Sequence, residues 1–426
     1  MKKLLFLLST TLSTVSYSQL TTDNIQTAVN LWLSDQLEAT TTYGDISTWN
    51  VSNVTDMSEL FRDTPTFNDD ISSWNTSNVT NMAYMFSGAS VFNGNISNWD
   101  TSSVTNMALM FKEASSFNQP LNWNTSSVTN MYAMFYLASV FNGNISNWDT
   151  GNVTNMANMF EGASVFNINI SNWDTSKLTN MYSMFAGASD FNKPLNDWDT
   201  SKVIDMSYMF YFASSFNQPL NWNTSSVTNM ELMFKEASGF NGSIINWNTS
   251  SVTKMGAMFA GSSDFNQDLS SWDVTNVTSM SNLLNDSGLS KANYDTILNS
   301  WSQQDVQSDV TLGAAGINYC NGADARQRLI DTNGWIIIDA GLNCSTAGVD
   351  DQNQLDISIY PNPTSDMVYI EGNYTQLKVV IYNVLGKEIL NEPITNSINI
   401  SHLDNGVYTL QLSDGVKLST RKIIKN

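Results

Sequence analysis

The stretch that decides the fold is residues 99–111, which read WDTSSVTNMALMF. Near copies of it recur along most of the chain, and each opens on a tryptophan. The spacing is 25 residues, with 24 at two steps, across Trp49, Trp74, Trp99, Trp123, Trp148, Trp173, Trp198, Trp222, Trp247 and Trp272. A period of this size is typical of a solenoid, in which each repeat is one coil that stacks on the next.

Each repeat divides into two halves. Apolar residues at i, i+3, i+7 and i+10 predict one face of a helix, as at Val79, Met82, Phe86 and Ala89. Thr80 is its predicted N-cap. The other half, residues 92–99, is bounded by Asn and Gly and predicts one short strand. The fold class expected is an α/β repeat solenoid, with one short strand and one short helix per coil of 25 residues.

The repeated residues are interpreted as framework. Trp and Met recur at equivalent positions in every coil, which favours core over a ligand stripe. The Asn after the second Phe recurs in nine coils from Asn68 to Asn266. It is open to calcium coordination, but we expect its amide to bond the turning backbone and stack as a ladder. In the 24-residue copies the aliphatic residue and Trp lie one residue closer, which predicts a corner between them.

Composition excludes several functions. The formal net charge is −21, and so acidic a surface repels nucleic acid and anionic membranes. His402 is the one histidine, which argues against a histidine metal site or a Ser/His mechanism. Residues 118–131 match 217–230 at all fourteen positions, whereas an active site needs a unique constellation. A carboxylate-based hydrolase stays an alternative, yet a pair such as Glu113 with Asp100 has no distinguishing context. We expect no catalytic residues, metal or cofactor.

The two ends of the solenoid, assigned to residues 45–284, are expected to be capped. Residues 19–44 predict an N-terminal helical cap, in which Asp23 caps a helix that carries Ile25, Val29, Leu31, Trp32 and Leu37. Residues 285–344 predict a C-terminal cap: a helix capped by Ser290, another over 323–329 and a closing strand over 335–338. Cys320 and Cys344 are an even pair in a chain expected to be secreted, which predicts a disulfide.

The N-terminus predicts export. Lys2 and Lys3 precede an apolar stretch at 4–15, and small residues precede Gln19, which together predict a signal peptide over 1–18. The stretch is too short to span a bilayer stably, and no other apolar run of that length occurs, so no transmembrane span is expected. Residues 345–356 are polar and predict a linker. Residues 357–426 alternate like strands and predict a small all-β sandwich.

Variable positions in the coils are the candidate binding surface, notably Tyr84, Tyr132, Tyr136, Tyr182, Tyr208 and Tyr211. These aromatic side chains suit a sugar- or protein-binding ridge. The alternative is that they fill gaps between neighbouring helices. Solvent exposure of the tyrosines in a row would favour a glycan ligand.

The repeat is similar to that of the BspA-type leucine-rich repeat surface proteins. The similarity covers residues 20–344, including AVNLW at 28–32 and NGW at 333–335. It implies a leucine-rich-repeat-like solenoid, extracellular display and, in some members, adhesion. Residues 360–366 (YPNPTSD), 385–387 (LGK) and the C-terminus resemble the C-terminal sorting domain of type IX secretion. The residues that carry this resemblance are Pro361, Asn362, Pro363, Gly386, Gly406, Tyr408 and Lys422.

The sorting domain implies contact with the type IX secretion machinery and a secreted or outer-membrane surface location. The function expected is a surface scaffold for protein binding or adhesion. A glycan-binding component of a surface polysaccharide system and a self-associating surface-layer protein are the alternatives.

Overall fold

The computed structural model describes residues 17–344, 355, 357–372, 374, 376–415 and 417–426. The predicted signal peptide (1–18) lies outside the described residues except for its last two positions. The predicted linker (345–356) lies outside them except for residue 355. The described chain comprises an N-terminal cap, a stack of repeats, a C-terminal cap and a region of β-sandwich type.

The N-terminal cap consists of helices α1 (Ile25–Ser34) and α2 (Gln36–Tyr43), followed by a 3-10 turn (Ile46–Thr48). Trp32 of α1 is buried and packs edge-on against Trp49 of the first repeat, with ring centroids 6.0 Å apart. Helix α1 therefore covers the apolar end of the repeat core, as a capping element must.

Two details predicted for this cap are wrong. Helix α1 follows Asn24, so Asp23 is not its N-cap, and Oδ1 of Asn24 accepts from the Thr21 backbone N–H at 2.8 Å. Leu37 lies on α2 and is 80% exposed. The chain starts a new helix at Asp35, whose carboxylate accepts from the Glu38 N–H at 3.0 Å, and this turns Leu37 away from the core.

The repeats contain neither the predicted helix nor the predicted strand. Between residues 49 and 284 the described chain consists of turns joined by isolated parallel bridges, such as Asn81 to Asn106 and Asn106 to Asn130. Thr80, the predicted N-cap, uses its N–H and its hydroxyl to donate to the Thr55 carbonyl of the preceding repeat, at 2.8 and 3.1 Å.

The backbone bonds explain why a helix does not form. The N–H groups of Met82, Tyr84, Phe86 and Gly88 donate to carbonyls one repeat further along the chain, at 2.7–2.9 Å. Between them, Ser87 donates to the Tyr84 carbonyl three residues back. Tyr84 and Gly88 have φ of +59° and +73°, and every repeat has two such residues. A positive φ ends a right-handed helix, so successive turns, rather than helical periodicity, produce the three- and four-residue spacing of apolar side chains.

The predicted core is confirmed. The Met, Phe and Trp columns are buried throughout the stack. The two phenylalanines of a repeat stack at 4.0 Å in the pair Phe86 and Phe92, and Phe86 lies 5.6 Å from Phe111 of the next repeat. Most of the repeat tryptophans donate their indole N–H to the carbonyl of the aliphatic residue just before the preceding tryptophan, as Trp99 does to Ile71 at 3.1 Å. Each layer therefore buries its aromatic rings against the next layer.

The predicted asparagine ladder is also confirmed. Oδ1 of Asn68 accepts from the N–H of Asn93, whose own Oδ1 accepts from Asn118, at 2.9 and 3.0 Å. The series continues to Asn266, which accepts from Ser290 at 2.8 Å. Buried threonines form a parallel ladder: Thr101 Oγ1 donates to the Asn124 carbonyl at 2.9 Å. These side chains satisfy backbone groups that the irregular coils leave without a sheet partner.

A corner lies between the aliphatic residue and the tryptophan, as predicted. In a 25-residue copy the Trp99 N–H donates to the Ile96 carbonyl at 3.2 Å and closes a turn. In a 24-residue copy the Leu121 N–H instead donates to the Asn144 carbonyl of the next repeat at 3.1 Å. The corner therefore absorbs the missing residue while the columns stay aligned.

The C-terminal cap matches its prediction closely. It consists of α3 (Lys291–Trp301), β1 (Thr311–Ala314), α4 (Ala323–Asn333) and β2 (Ile336–Asp339), and β1 and β2 pair in parallel. Ser290 Oγ accepts from the Asn293 N–H at 3.2 Å and caps α3. Cys320 and Cys344 form the predicted disulfide, with Cα atoms 5.0 Å apart. A parallel bridge from Met280 to Leu312 continues the stack into the cap.

The C-terminal region forms two antiparallel sheets around its own apolar core. The strands are β3 (Ile357–Tyr360), β4 (Met367–Gly372), β5 (Leu377–Asn383), β6 (Glu388–Ile394), β7 (Ser397–Asn399), β8 (Gly406–Ser413) and β9 (Leu418–Lys425). One sheet has the order β3-β4-β7 and the other β6-β5-β8-β9. Alternation of buried and exposed residues along β5 and β8 follows the two-residue period of a strand.

Candidate binding surface

The variable positions of the repeats form one continuous surface. They are the two residues after the first Met and the two after the Met-Phe pair, such as Ala83, Tyr84, Ser87 and Gly88. We call these positions in all ten repeats the variable face. Contacts between neighbouring repeats join them, because alternate residues in this segment donate backbone bonds to the next repeat. The framework is nearly constant, and the repeats differ on this face and in the two residues after each Phe-Asn pair.

The structure separates the six predicted tyrosines by exposure. Tyr132 and Tyr182, which directly follow a Met, are 37% and 36% exposed. The other four, Tyr84, Tyr136, Tyr208 and Tyr211, are half-buried. Ala157 occupies the position between Tyr132 and Tyr182, in the repeat that separates them. The tyrosines therefore do not form the exposed row that a glycan-stacking ridge needs.

Three of the tyrosines come together with a phenylalanine. Tyr182 lies 5.5 Å from Tyr208 of the next repeat, with the rings tilted by 55°. Tyr208 packs edge-on against Tyr211 at 5.6 Å, and Tyr211 packs edge-on against Phe212 at 4.5 Å. We call Tyr182, Tyr208, Tyr211 and Phe212 the aromatic cluster. Phe212 is exposed and has φ of +56°, at a position that is Gly in four other repeats.

Cations lie against the half-buried tyrosines. The Arg62 guanidinium is 5.0 Å from the centre of the Tyr84 ring. The Lys112 ammonium is 5.9 Å from the Tyr136 ring, and the Lys235 ammonium is 5.9 Å from the Tyr211 ring. These are cation–π distances. Because a cation lies over one face of each ring, that face is not open to a ligand.

Burial is the main cause of the raised pKa values on the variable face. Desolvation raises the pKa of Glu161 above its usual range, although hydrogen bonds from Asn158 and Ser183 oppose the rise. Burial also raises the pKa of Tyr136, to which Glu161 of the next repeat contributes. The pKa of Tyr208 is raised by burial first and by Tyr182 second. The face is therefore partly desolvated, which strengthens polar contacts made with a bound partner.

The carboxylates weighed for a hydrolase have separate structural contacts. Asp100 Oδ1 accepts from the N–H and hydroxyl of Ser102 at 3.0 and 2.6 Å, and these bonds lower its pKa. Glu113 lies 3.2 Å from the Lys112 ammonium. Within the described residues no group of three or more His, Cys, Asp and Glu is placed to hold a metal ion.

Sequence reasoning missed an exposed aliphatic set beside the aromatic residues. Leu137 is exposed at a left-handed position, with φ of +57°. Val91, Val140 and Val165 are exposed directly before the second Phe of their repeats. Most other repeats carry a small or polar residue at these positions, and that difference could have identified the exposed aliphatic residues from the sequence.

Most of the residues that resemble a sorting motif lie on or beside the last strand, β9, or on its neighbour β8. Asn362 donates through Nδ2 to the Lys422 carbonyl at 2.9 Å and accepts from the Ile424 N–H at 2.7 Å. Gly406 pairs with Lys425, and the Tyr408 hydroxyl donates to the Asp404 carbonyl at 2.9 Å. Pro361 and Pro363 flank Asn362, and Gly386, with φ of +77°, lies in the β5–β6 turn. The motif residues thus hold the C-terminal strand in place.

Comparisons with known proteins give two family matches. A family described as "Mycoplasma protein of unknown function, DUF285" matches residues 33–142, 121–221 and 220–315. A family described as "Secretion system C-terminal sorting domain" matches residues 358–426. No curated protein matches the chain.

The second match bears out the predicted route of export, through the type IX machinery to the cell surface or beyond. No helix among the described residues is long and apolar enough to cross a membrane. The first match covers more than half of the chain. The chain therefore belongs to the DUF285 family, with three tandem matches to that family ahead of a type IX sorting domain.

Proposed function

We propose that this protein is a secreted or cell-surface scaffold that binds an extracellular protein through the variable face and catalyses no reaction. The stacked repeats support its interpretation as a solenoid of the BspA type. The sorting domain supports the location, because that domain directs export. The repeats share one framework and differ in side chains that include the variable face, which is the pattern of a scaffold that carries a binding surface.

The aromatic cluster is the observation that carries the proposal. Tyrosine is enriched among the residues that dominate the energy of protein–protein interfaces. Here Tyr182, Tyr208 and Tyr211 are braced by one tilted and two edge-on ring contacts and lie beside exposed Phe212. Braced rings lose little side-chain entropy on binding. The exposed aliphatic residues Leu137 and Val140 add apolar area of the kind that a protein partner buries.

A glycan ligand is the second candidate. The exposed rings of Tyr132 and Tyr182 favour it, since sugars stack on aromatic faces. Tilted and edge-on packing within the aromatic cluster favours the protein ligand, because it leaves few flat ring faces open.

A binding screen on paired arrays tests the proposal. Purified full-length chain is applied to an array of extracellular and matrix proteins and to an array of glycans. We expect a saturable protein hit. Hits on glycans alone would transfer the proposal to the second candidate. Silence on both arrays, combined with concentration-dependent assembly in analytical ultracentrifugation, would favour a self-associating surface-layer role.

A further inference from the structure

The turn between β5 and β6 of the sorting domain exposes two apolar side chains. Val384 is 77% exposed and Leu385 is 88% exposed. Among the exposed large apolar side chains of the described residues, Leu385 is the most exposed. Side chains this exposed gain almost no free energy from apolar burial within the chain, so the stability of the fold does not explain why both are apolar.

The turn is built by other residues. Asn383 Oδ1 accepts from the N–H groups of Leu385 and Lys387, each at 3.0 Å. The Asn383 backbone N–H donates to the Lys387 carbonyl at 3.0 Å, and Gly386 supplies the left-handed conformation with φ of +77°. Asparagine and glycine thus define the turn. Polar residues at 384 and 385 would serve the fold equally well.

The location of the tip connects it to sorting. Asn383, the last residue of β5, pairs with Tyr408 of β8, and Gly406 two residues earlier pairs with Lys425 near the end of β9. The tip therefore emerges from the end of the sheet where the C-terminal strand finishes. The residues resembling a sorting motif, Gly406 and Tyr408 among them, lie at the same end.

We propose that Val384 and Leu385 form an apolar plug that inserts into an apolar recess on a protein of the secretion machinery. The sorting domain identifies the machinery as its partner, and the plug is continuous with the end of the sheet that carries the motif residues. A protein recess fits better than a lipid surface, because the side chains of Val384 and Leu385 together offer fewer carbons than one myristoyl chain, which alone binds a membrane only marginally.

An export assay of the full-length chain in a type IX-competent bacterium tests the plug. V384S/L385S is compared with V384I/L385M, which keeps the tip apolar, and with L37S, which removes an equally exposed apolar side chain from the N-terminal cap. We expect V384S/L385S to accumulate in the periplasm, with at least a tenfold loss of extracellular protein. V384I/L385M and L37S should be exported like the parent chain, and all variants should share one unfolding temperature.

Three results would overturn the plug. Normal export of V384S/L385S would show that the secretion machinery does not bind the apolar tip. Equal failure of V384I/L385M, or a lowered unfolding temperature of V384S/L385S, would show that the position is needed for the fold. Sedimentation of the purified full-length chain with phosphatidylethanolamine–phosphatidylglycerol vesicles, lost in V384S/L385S, would make the tip a lipid contact.

Discussion

At the scale of single residues, polar side chains do the work that regular secondary structure does elsewhere. Each coil has turns whose backbone groups cannot pair within the coil. Asn, Asp, Ser and Thr supply the missing partners, either within the turn or one repeat away, as Asn93 does for Asn118. This explains a chain that is only 13% charged yet rich in short polar residues.

The asparagine ladder should be measurable as stability. Asn142→Ala removes the acceptor for the Asn167 N–H, now 2.9 Å from Asn142 Oδ1, and leaves a backbone donor without its partner. We expect the free energy of unfolding to fall by about 1–2 kcal/mol in urea titrations. Asn98→Ala, at an exposed turn position with no side-chain ladder contact, is the control and should change little. Equal losses of unfolding free energy in both variants would show that the ladder bond does not stabilise the fold.

Acid sensitivity should follow from the carboxylates at the repeat turns. Hydrogen bonds from Ser102, Ser176 and Ser201 lower the pKa of Asp100, Asp174 and Asp199. A lowered folded-state pKa stabilises the protein above the unfolded pKa, and that contribution is lost as the pH falls through the folded pKa.

The triple variant D100N/D174N/D199N should therefore keep its unfolding temperature at neutral pH and lose less of it below about pH 4 than the parent chain. Asn already occupies the equivalent position in other repeats, for example Asn124, where its side chain makes the same turn contact. Calorimetry from pH 7 to pH 2 measures the difference. Parallel curves for the two proteins would refute the assignment.

At the scale of elements, the sequence predicted the caps better than the coils. The helices of the C-terminal cap follow ordinary rules of capping and periodicity, and Ser290 was recognisable as an N-cap. In the coils the same three- and four-residue spacing arises from turns with positive φ, which no periodicity argument distinguishes from a helix. Non-glycine residues such as Tyr84 and Glu113 occupy these left-handed positions. Glycine at every such position would have indicated a turn in the sequence, and these residues do not.

The left-handed positions give a prediction for single turns. Glu113 has φ of +59° at a position that is Gly88 or Gly162 in other repeats. Glu113→Gly should raise the free energy of unfolding by about 0.5–1 kcal/mol, because the left-handed conformation is unfavourable for a residue with a Cβ atom. Its exposed ion pair with Lys112 contributes little.

Glu38→Gly, inside helix α2, is the matched control for that substitution. It should lower the free energy of unfolding by about 1 kcal/mol, since glycine is a poor helix former and the change removes the acidic side chain from the first turn of the helix. Urea titration of both variants checks the opposite signs. Destabilisation by Glu113→Gly would mean that the turn is not left-handed in solution.

At the scale of the whole molecule, the repeat count, the core columns and the two-part organisation followed from the sequence. The grouping on the variable face did not. Tyr182 meets Tyr208, which is offset by one position in the next repeat, only because of how the coils stack, and a repeat alignment carries no record of that contact. Tyr182 is more exposed than Tyr208 because it directly follows its Met, whereas Tyr208 is the second residue after its Met.

A variant that resets the aromatic cluster tests the central claim most directly. Y182A/Y208A/Y211A/F212G uses residues that other repeats carry at the same positions, so the framework should be undisturbed. I204T/I245S, which resets two exposed apolar residues outside the variable face to repeat consensus, is its control.

The measurement is the Kd of the two variants and the parent chain for the protein captured in the array screen, with unfolding temperatures alongside. We expect at least about a 100-fold weaker Kd for the cluster variant, which is about 2.8 kcal/mol, and no change for the control. An unchanged Kd for the cluster variant at equal unfolding temperature would contradict binding through the aromatic cluster.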